Sequence, residues 1–128
     1  MSEKLRTPLK NVRRLGSAHE GADHFWKQRI TSVSTLVLGI FMIWLMSRLI
    51  GADYAQVKMT LGNPLYGLPV ILFIISMVVH MRIGMQVIIE DYIHTELRKV
   101  VFLMLNTFFA ILVGAACVYA VLKLSFGA

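Results

Sequence analysis

Three long stretches of this chain carry almost no charge, and they constrain its fold more than anything else in it. Residues 30–47 carry none at all, and Arg48 ends the run. Residues 65–89 hold only His80 and Arg82 as basic or acidic side chains, and the stretch from Val100 to Leu122 holds none. A helix rising ~1.5 Å per residue needs about 20 apolar residues to cross the ~30 Å hydrocarbon core of a bilayer. Each stretch is apolar around most of its circumference, unlike the single stripe of a soluble helix. The sequence therefore predicts an all-α integral membrane protein with three transmembrane helices, at 28–50, 66–92 and 99–123.

Charge placement refines this picture. Charged residues make up 16% of the chain against roughly 25% in soluble domains, which excludes a disordered chain. A single Cys excludes a disulfide scaffold. A net charge of +6 is compatible with nucleic-acid binding, so the position of the charge has to decide. Seven of the 13 basic residues lie in residues 1–29, which reads as a basic arm (1–27) leading into a single three-helix anchor domain (28–128). With the N-terminus inside, the arm and the 93–99 loop put nine Lys/Arg on the cytoplasmic side, against Arg48, Lys58 and Lys123 outside. The reading is N-in/C-out, with no nucleic-acid partner. No cleavable leader is expected, because the first apolar run is long enough to span.

Between the first two spans, Gly51, Gly62, Asn63 and Pro64 supply turn chemistry for a loop at 51–65. Pro69 falls in the first turns of the second span, where a missing N–H costs least. The short loop that follows makes the second and third spans antiparallel neighbours. Trp26 and Trp44 suit the aromatic belts of the two membrane faces. Cys117 reads as a small apolar packing residue.

The informative residues are the polar ones inside the spans. An Arg or Asp at mid-helix costs about 2.5–3.5 kcal/mol on insertion scales. His80 lies about three helical turns before the end of the second span, near mid-bilayer. On a helical wheel it shares a face with Ser76 and Gly84, and Asp91 returns close to that face. Glycine one turn from a histidine removes bulk where a flat porphyrin could lie, with the imidazole Nε2 on its iron. His80 equally suits a hydrogen bond to another helix, or a proton relay. If it binds haem, a second axial ligand has to come from another chain. His94 is ~21 Å away along the helix, and His19 and His24 lie in the arm.

Arg29 sits where the first span enters the membrane and could fork onto a propionate, or simply snorkel as a basic anchor. Tyr92 and Asp91, at the cytoplasmic end of the second span, offer a phenol donor and a carboxylate, the services that quinone reduction uses. They equally suit an interfacial anchor with helix-end charges. Arg82 points ~200° away from His80 around the helix, and a partner charge or snorkelling would satisfy it.

The segment His80-Met81-Arg82-Ile83-Gly84-Met85-Gln86-Val87-Ile88-Ile89-Glu90-Asp91-Tyr92 resembles the smaller haem-bearing hydrophobic membrane anchor family of succinate dehydrogenase. The phrase from Gly16 to Arg29, with His24-Phe25-Trp26 and Gln28-Arg29, resembles its alphaproteobacterial branch. The resemblance spans nearly the whole chain and implies a multi-pass anchor of the bacterial inner membrane in respiratory complex II. It implies that His80 is the axial ligand, and metal ligand, of a haem b shared with a second anchor subunit of the cytochrome b556 type. Arg29 then approaches a haem propionate, and Tyr92 and Asp91 belong to a ubiquinone site. It implies flavoprotein and iron–sulfur partners that carry FAD and the clusters. This chain would then be an enzyme subunit with no catalysis of its own, helping electrons from succinate reach ubiquinone. The competing readings are a quinol:fumarate reductase anchor, a cofactor-free structural anchor, and a small carrier with His80 and Arg82 on an ion path.

Overall fold

The computed structural model describes the backbone of residues 18–127 and the side chains of residues 22–127. Residues 1–17, and with them most of the arm's basic charge, lie outside that range, as does the His19 side chain. Four helices follow in order among the described residues: α1 (Ala18–Leu49), α2 (Tyr54–Gly62), α3 (Pro64–Tyr92) and α4 (Glu96–Phe126). There is no strand among the described residues. Helices α1, α3 and α4 each contain a segment long and apolar enough to span a membrane. At 32, 29 and 31 residues they are about 48, 44 and 47 Å long, enough to cross both the hydrocarbon and the headgroup layers.

The helix expected at 28–50 begins earlier, at Ala18. Charge at Asp23, Lys27 and Arg29 does not end a helix that can continue through the headgroup region, and Lys27 Nζ lies 3.7 Å from Asp23 Oδ2 one turn away. The loop expected at 51–65 contains a helix. Asp53 accepts the Gln56 backbone N–H at 2.8 Å, which starts α2. Gly51 makes the bend between α1 and α2 at φ 80°, a conformation that costs a side chain ~1–2 kcal/mol. Asn63 then caps α3 through the Leu65 N–H at 3.1 Å, so Pro64 takes the first helical position and Pro69 lies inside the helix. The loop expected at 93–99 shrinks to 93–95, which brings Arg98 and Lys99 into the first turn of α4.

Helix α3 is central, with α1 packed along one side and α4 along another. Where helices meet in lipid, small residues set the approach. Ala110 is buried, and a Cβ on Gly114 would sit 3.4 Å from Val78. Among the described residues the buried hydrophobic side chains are few: Leu45, Val70, Ile83, Ile89, Ala110 and Val121. Leu45, Val70 and Val121 close a small core at the end away from the basic arm, beside Trp44 stacked on Tyr66 (centroids 6.2 Å apart). Cys117, read as a small apolar packing residue, is exposed on the surface of this chain.

Candidate functional site

The α1–α3 contact is a polar seam. Ser34 and Ser76 share a hydroxyl–hydroxyl hydrogen bond. One turn toward the basic end, His80 Nδ1 lies 3.3 Å from Thr31 Oγ1 and 3.4 Å from Ser32 Oγ. One turn further, a Cβ on Gly84 would meet Gln28 Nε2 at 3.8 Å. The Ser76–His80–Gly84 face exists as the helical wheel predicts, but α1 covers it. The Gln28 amide is the neighbour nearest the space that this glycine opens, at ordinary van der Waals distance. His80 itself is half-buried, and among the described residues its Nε2 has no hydrogen-bond partner.

Sequence reasoning passed over α1's share of this seam. The signal was present: Thr31-Ser32-Val33-Ser34-Thr35 puts four hydroxyls within one short segment of an otherwise apolar run. Each such group in lipid needs a partner. Thr31 and Ser32 bond back to the Lys27 and Gln28 carbonyls at 2.7 and 2.6 Å. Gln28 Oε1 and Thr35 Oγ1 are buried with no partner among the described residues.

Arg29 sits less than one turn from the His80 level, on the outer side of α1. Its guanidinium lies 4.4 Å from the centre of the Phe25 ring. It heads an open apolar groove of about 650 Å³ that Trp26, Ile30, Val33 and Val37 line. An amphiphile with an apolar body and an anionic edge matches that arrangement. Arg29 forms no hydrogen bond with His80.

Arg82 faces the other neighbour. Its Nε donates to Thr107 Oγ1 at 3.4 Å, and its backbone carbonyl accepts from Asn106 Nδ2 at 3.0 Å, both on α4. His80 toward α1 and Arg82 toward α4 do not line one path, which removes the geometric basis of an ion carrier.

Asp91 and Tyr92 close α3, and both are exposed, Tyr92 at 79%. Tyr92 follows His80 by about 18 Å along the helix. The chain thus brings together His80 and the α1 hydroxyls, with Arg29 close by. It holds Tyr92 and Asp91 apart as a second locus at the basic end. There Gln86 Nε2 also donates to Glu90 Oε1 at 3.0 Å. Among the described residues no cluster of His, Cys, Asp and Glu could hold a metal ion alone.

The family described as succinate dehydrogenase/fumarate reductase transmembrane subunit matches residues 3–114. The succinate dehydrogenase hydrophobic membrane anchor subunit of Paracoccus denitrificans is 34% identical over 122 residues, covering 95% of this chain and 94% of that protein. Its namesake in Rickettsia bellii (strain RML369-C) is 26% identical over 121 residues, covering 94% and 97%. The succinate dehydrogenase membrane anchor subunit of Reclinomonas americana is 30% identical over 94 residues, covering 71% and 78%. No solved structure matches.

Proposed function

This chain belongs to the succinate dehydrogenase/fumarate reductase transmembrane subunit family, as a multi-pass membrane anchor of the succinate dehydrogenase type, and we propose that it holds one side of a haem b and part of a ubiquinone site. The observation that carries this reading is the His80 imidazole, whose Nδ1 is engaged by α1 hydroxyls while Nε2 has no hydrogen-bond partner among the described residues at mid-span.

These residues fit a haem. His80 Nε2 would hold the iron from this chain, and a second anchor subunit would hold it from the other side. Arg29, close to the same height and heading an apolar groove, would hold a propionate, its fork suiting a carboxylate. Haem b, when bound, supplies a one-electron redox centre. Phe25 holds the Arg29 guanidinium by a cation–π contact, which limits the conformations it leaves on pairing.

The second locus serves the quinone. The Tyr92 phenol, exposed at the end of α3, donates to a ubiquinone carbonyl. Asp91 beside it takes protons from the aqueous side and passes them inward. Flavoprotein and iron–sulfur subunits complete the path from succinate, and the chain performs no chemistry without them. The basic end faces the cytoplasm of a bacterium with its inner membrane around α1, α3 and α4. The arm to residue 27 lies on that face, where a peripheral iron–sulfur protein docks.

Reduced-minus-oxidised spectra of the purified complex test the haem assignment. The expected result is a b-type signal in the wild type that is lost or displaced in His80→Ala. An unchanged signal in an assembled His80→Ala complex would overturn it.

A further inference from the structure

We propose that Thr31 and Ser32 are positioning residues for His80: their hydroxyl oxygens accept the Nδ1 proton, so that the ring presents an Nε2 lone pair. This deepens the haem reading above and rests on it.

The placement of protons fixes the direction of these contacts. Each hydroxyl has one to give. Thr31 Oγ1 lies 2.7 Å from the Lys27 carbonyl oxygen, and Ser32 Oγ lies 2.6 Å from that of Gln28. Two oxygens approach so closely only with a proton between them. Both hydroxyl protons are therefore committed to α1's own backbone, and toward His80 both oxygens can only accept. A bare Nδ1 at 3.3 and 3.4 Å from them would set lone pairs facing lone pairs. With the proton on Nδ1, one N–H is shared between two acceptors, and three-centre bonds of this kind are longer than simple ones.

A neutral imidazole carries one N–H and one lone pair. Fixing the proton on Nδ1 leaves Nε2 as the lone-pair nitrogen, the form that ligates iron. Donation from the far nitrogen also orients the ring and makes the ligating nitrogen a stronger base. The other polar groups of the seam do not compete. Gln28 Oε1 and Thr35 Oγ1 make no hydrogen bond to the ring, and Ser76 is taken up by Ser34. The helix that passes His80 thus selects its tautomer with two residues that need not touch the iron's other surroundings.

The test uses the intact complex carrying Thr31→Val with Ser32→Ala, and a second variant, Thr31→Ser with Ser32→Ala, which keeps one acceptor. Flavin content reports assembly, and haem is read by midpoint potential and low-temperature electron paramagnetic resonance. Without acceptors His80 becomes a weaker donor, so the double variant should show a raised midpoint and an altered ferric spectrum, or lose haem. The Thr31→Ser variant should move back toward the wild type in each readout. An assembled double variant with wild-type midpoint and spectrum would overturn the proposal, as would a Thr31→Ser variant no closer to the wild type. A wild-type complex with no b-type signal would overturn the haem reading itself, and this inference with it.

Discussion

Ser34 of α1 and Ser76 of α3 join hydroxyl to hydroxyl, one helical turn from the pairing of Thr31 with His80. The two helices are therefore held in register by polar contacts where apolar burial is sparse. A hydrogen bond within the membrane averages ~0.6 kcal/mol and reaches about 1.7. A double-mutant cycle on the thermal dissociation of the complex, with Ser34→Ala and Ser76→Ala, should give a coupling energy of about that size. Strictly additive effects would show that the two hydroxyls act independently.

Tyr92 stands about 18 Å along α3 from His80, so the two should separate functionally. Tyr92→Phe removes one donor worth ~0.5–1.5 kcal/mol, which corresponds to a slowing of quinone reduction by roughly 2- to 10-fold. The haem spectrum and midpoint should stay at wild-type values. Loss of haem with unaltered quinone kinetics would contradict the division.

For Arg29 the sign follows from Coulomb's law. A nearby cation disfavours the more positive ferric iron, and it neutralises a propionate. Arg29→Ala should therefore lower the haem midpoint potential and speed haem loss, as redox titration and haem-to-flavin ratio would report. Arg29→Lys should recover part of the potential, because it keeps the charge without the fork. An unmoved potential in both variants would return Arg29 to a snorkelling anchor.

Gly67 tests the packing of the far end. It is buried, and a Cβ there would sit 2.5 Å from the Leu61 carbonyl oxygen of α2. Gly67→Ala should destabilise the chain by ~1–3 kcal/mol, the usual penalty for overpacking, and lower the thermal midpoint of the complex. Redox titration should find the haem unaltered, since His80 lies more than three turns away.

The spans were legible because the stretches 30–47, 65–89 and 100–122, with almost no charge, have few alternatives to crossing a bilayer. Their ends were not, because charged residues such as Asp23 and Lys27 tolerate a helix that emerges into headgroups. Helix α2 is masked in the sequence although Asp53 and Gln56 form a capping signal, because Gly62, Asn63 and Pro64 also fit a turn. The wheel placed Ser76, His80 and Gly84 on one face correctly and put Arg82 on another. What covers that face depends on tertiary packing, and neither the Gln28 amide over Gly84 nor the two hydroxyls on Nδ1 can be read from periodicity.

The back-bonds of Thr31 and Ser32 to their own helix bear on how the protein is made. During synthesis α1 leaves the ribosome well before the segment that contains His80. A newly inserted hairpin half cannot wait for its partner with bare hydroxyls in oil. Since both donate to carbonyls one turn upstream, the young helix can settle in the lipid satisfied, and still keep two acceptors open for the histidine that arrives later.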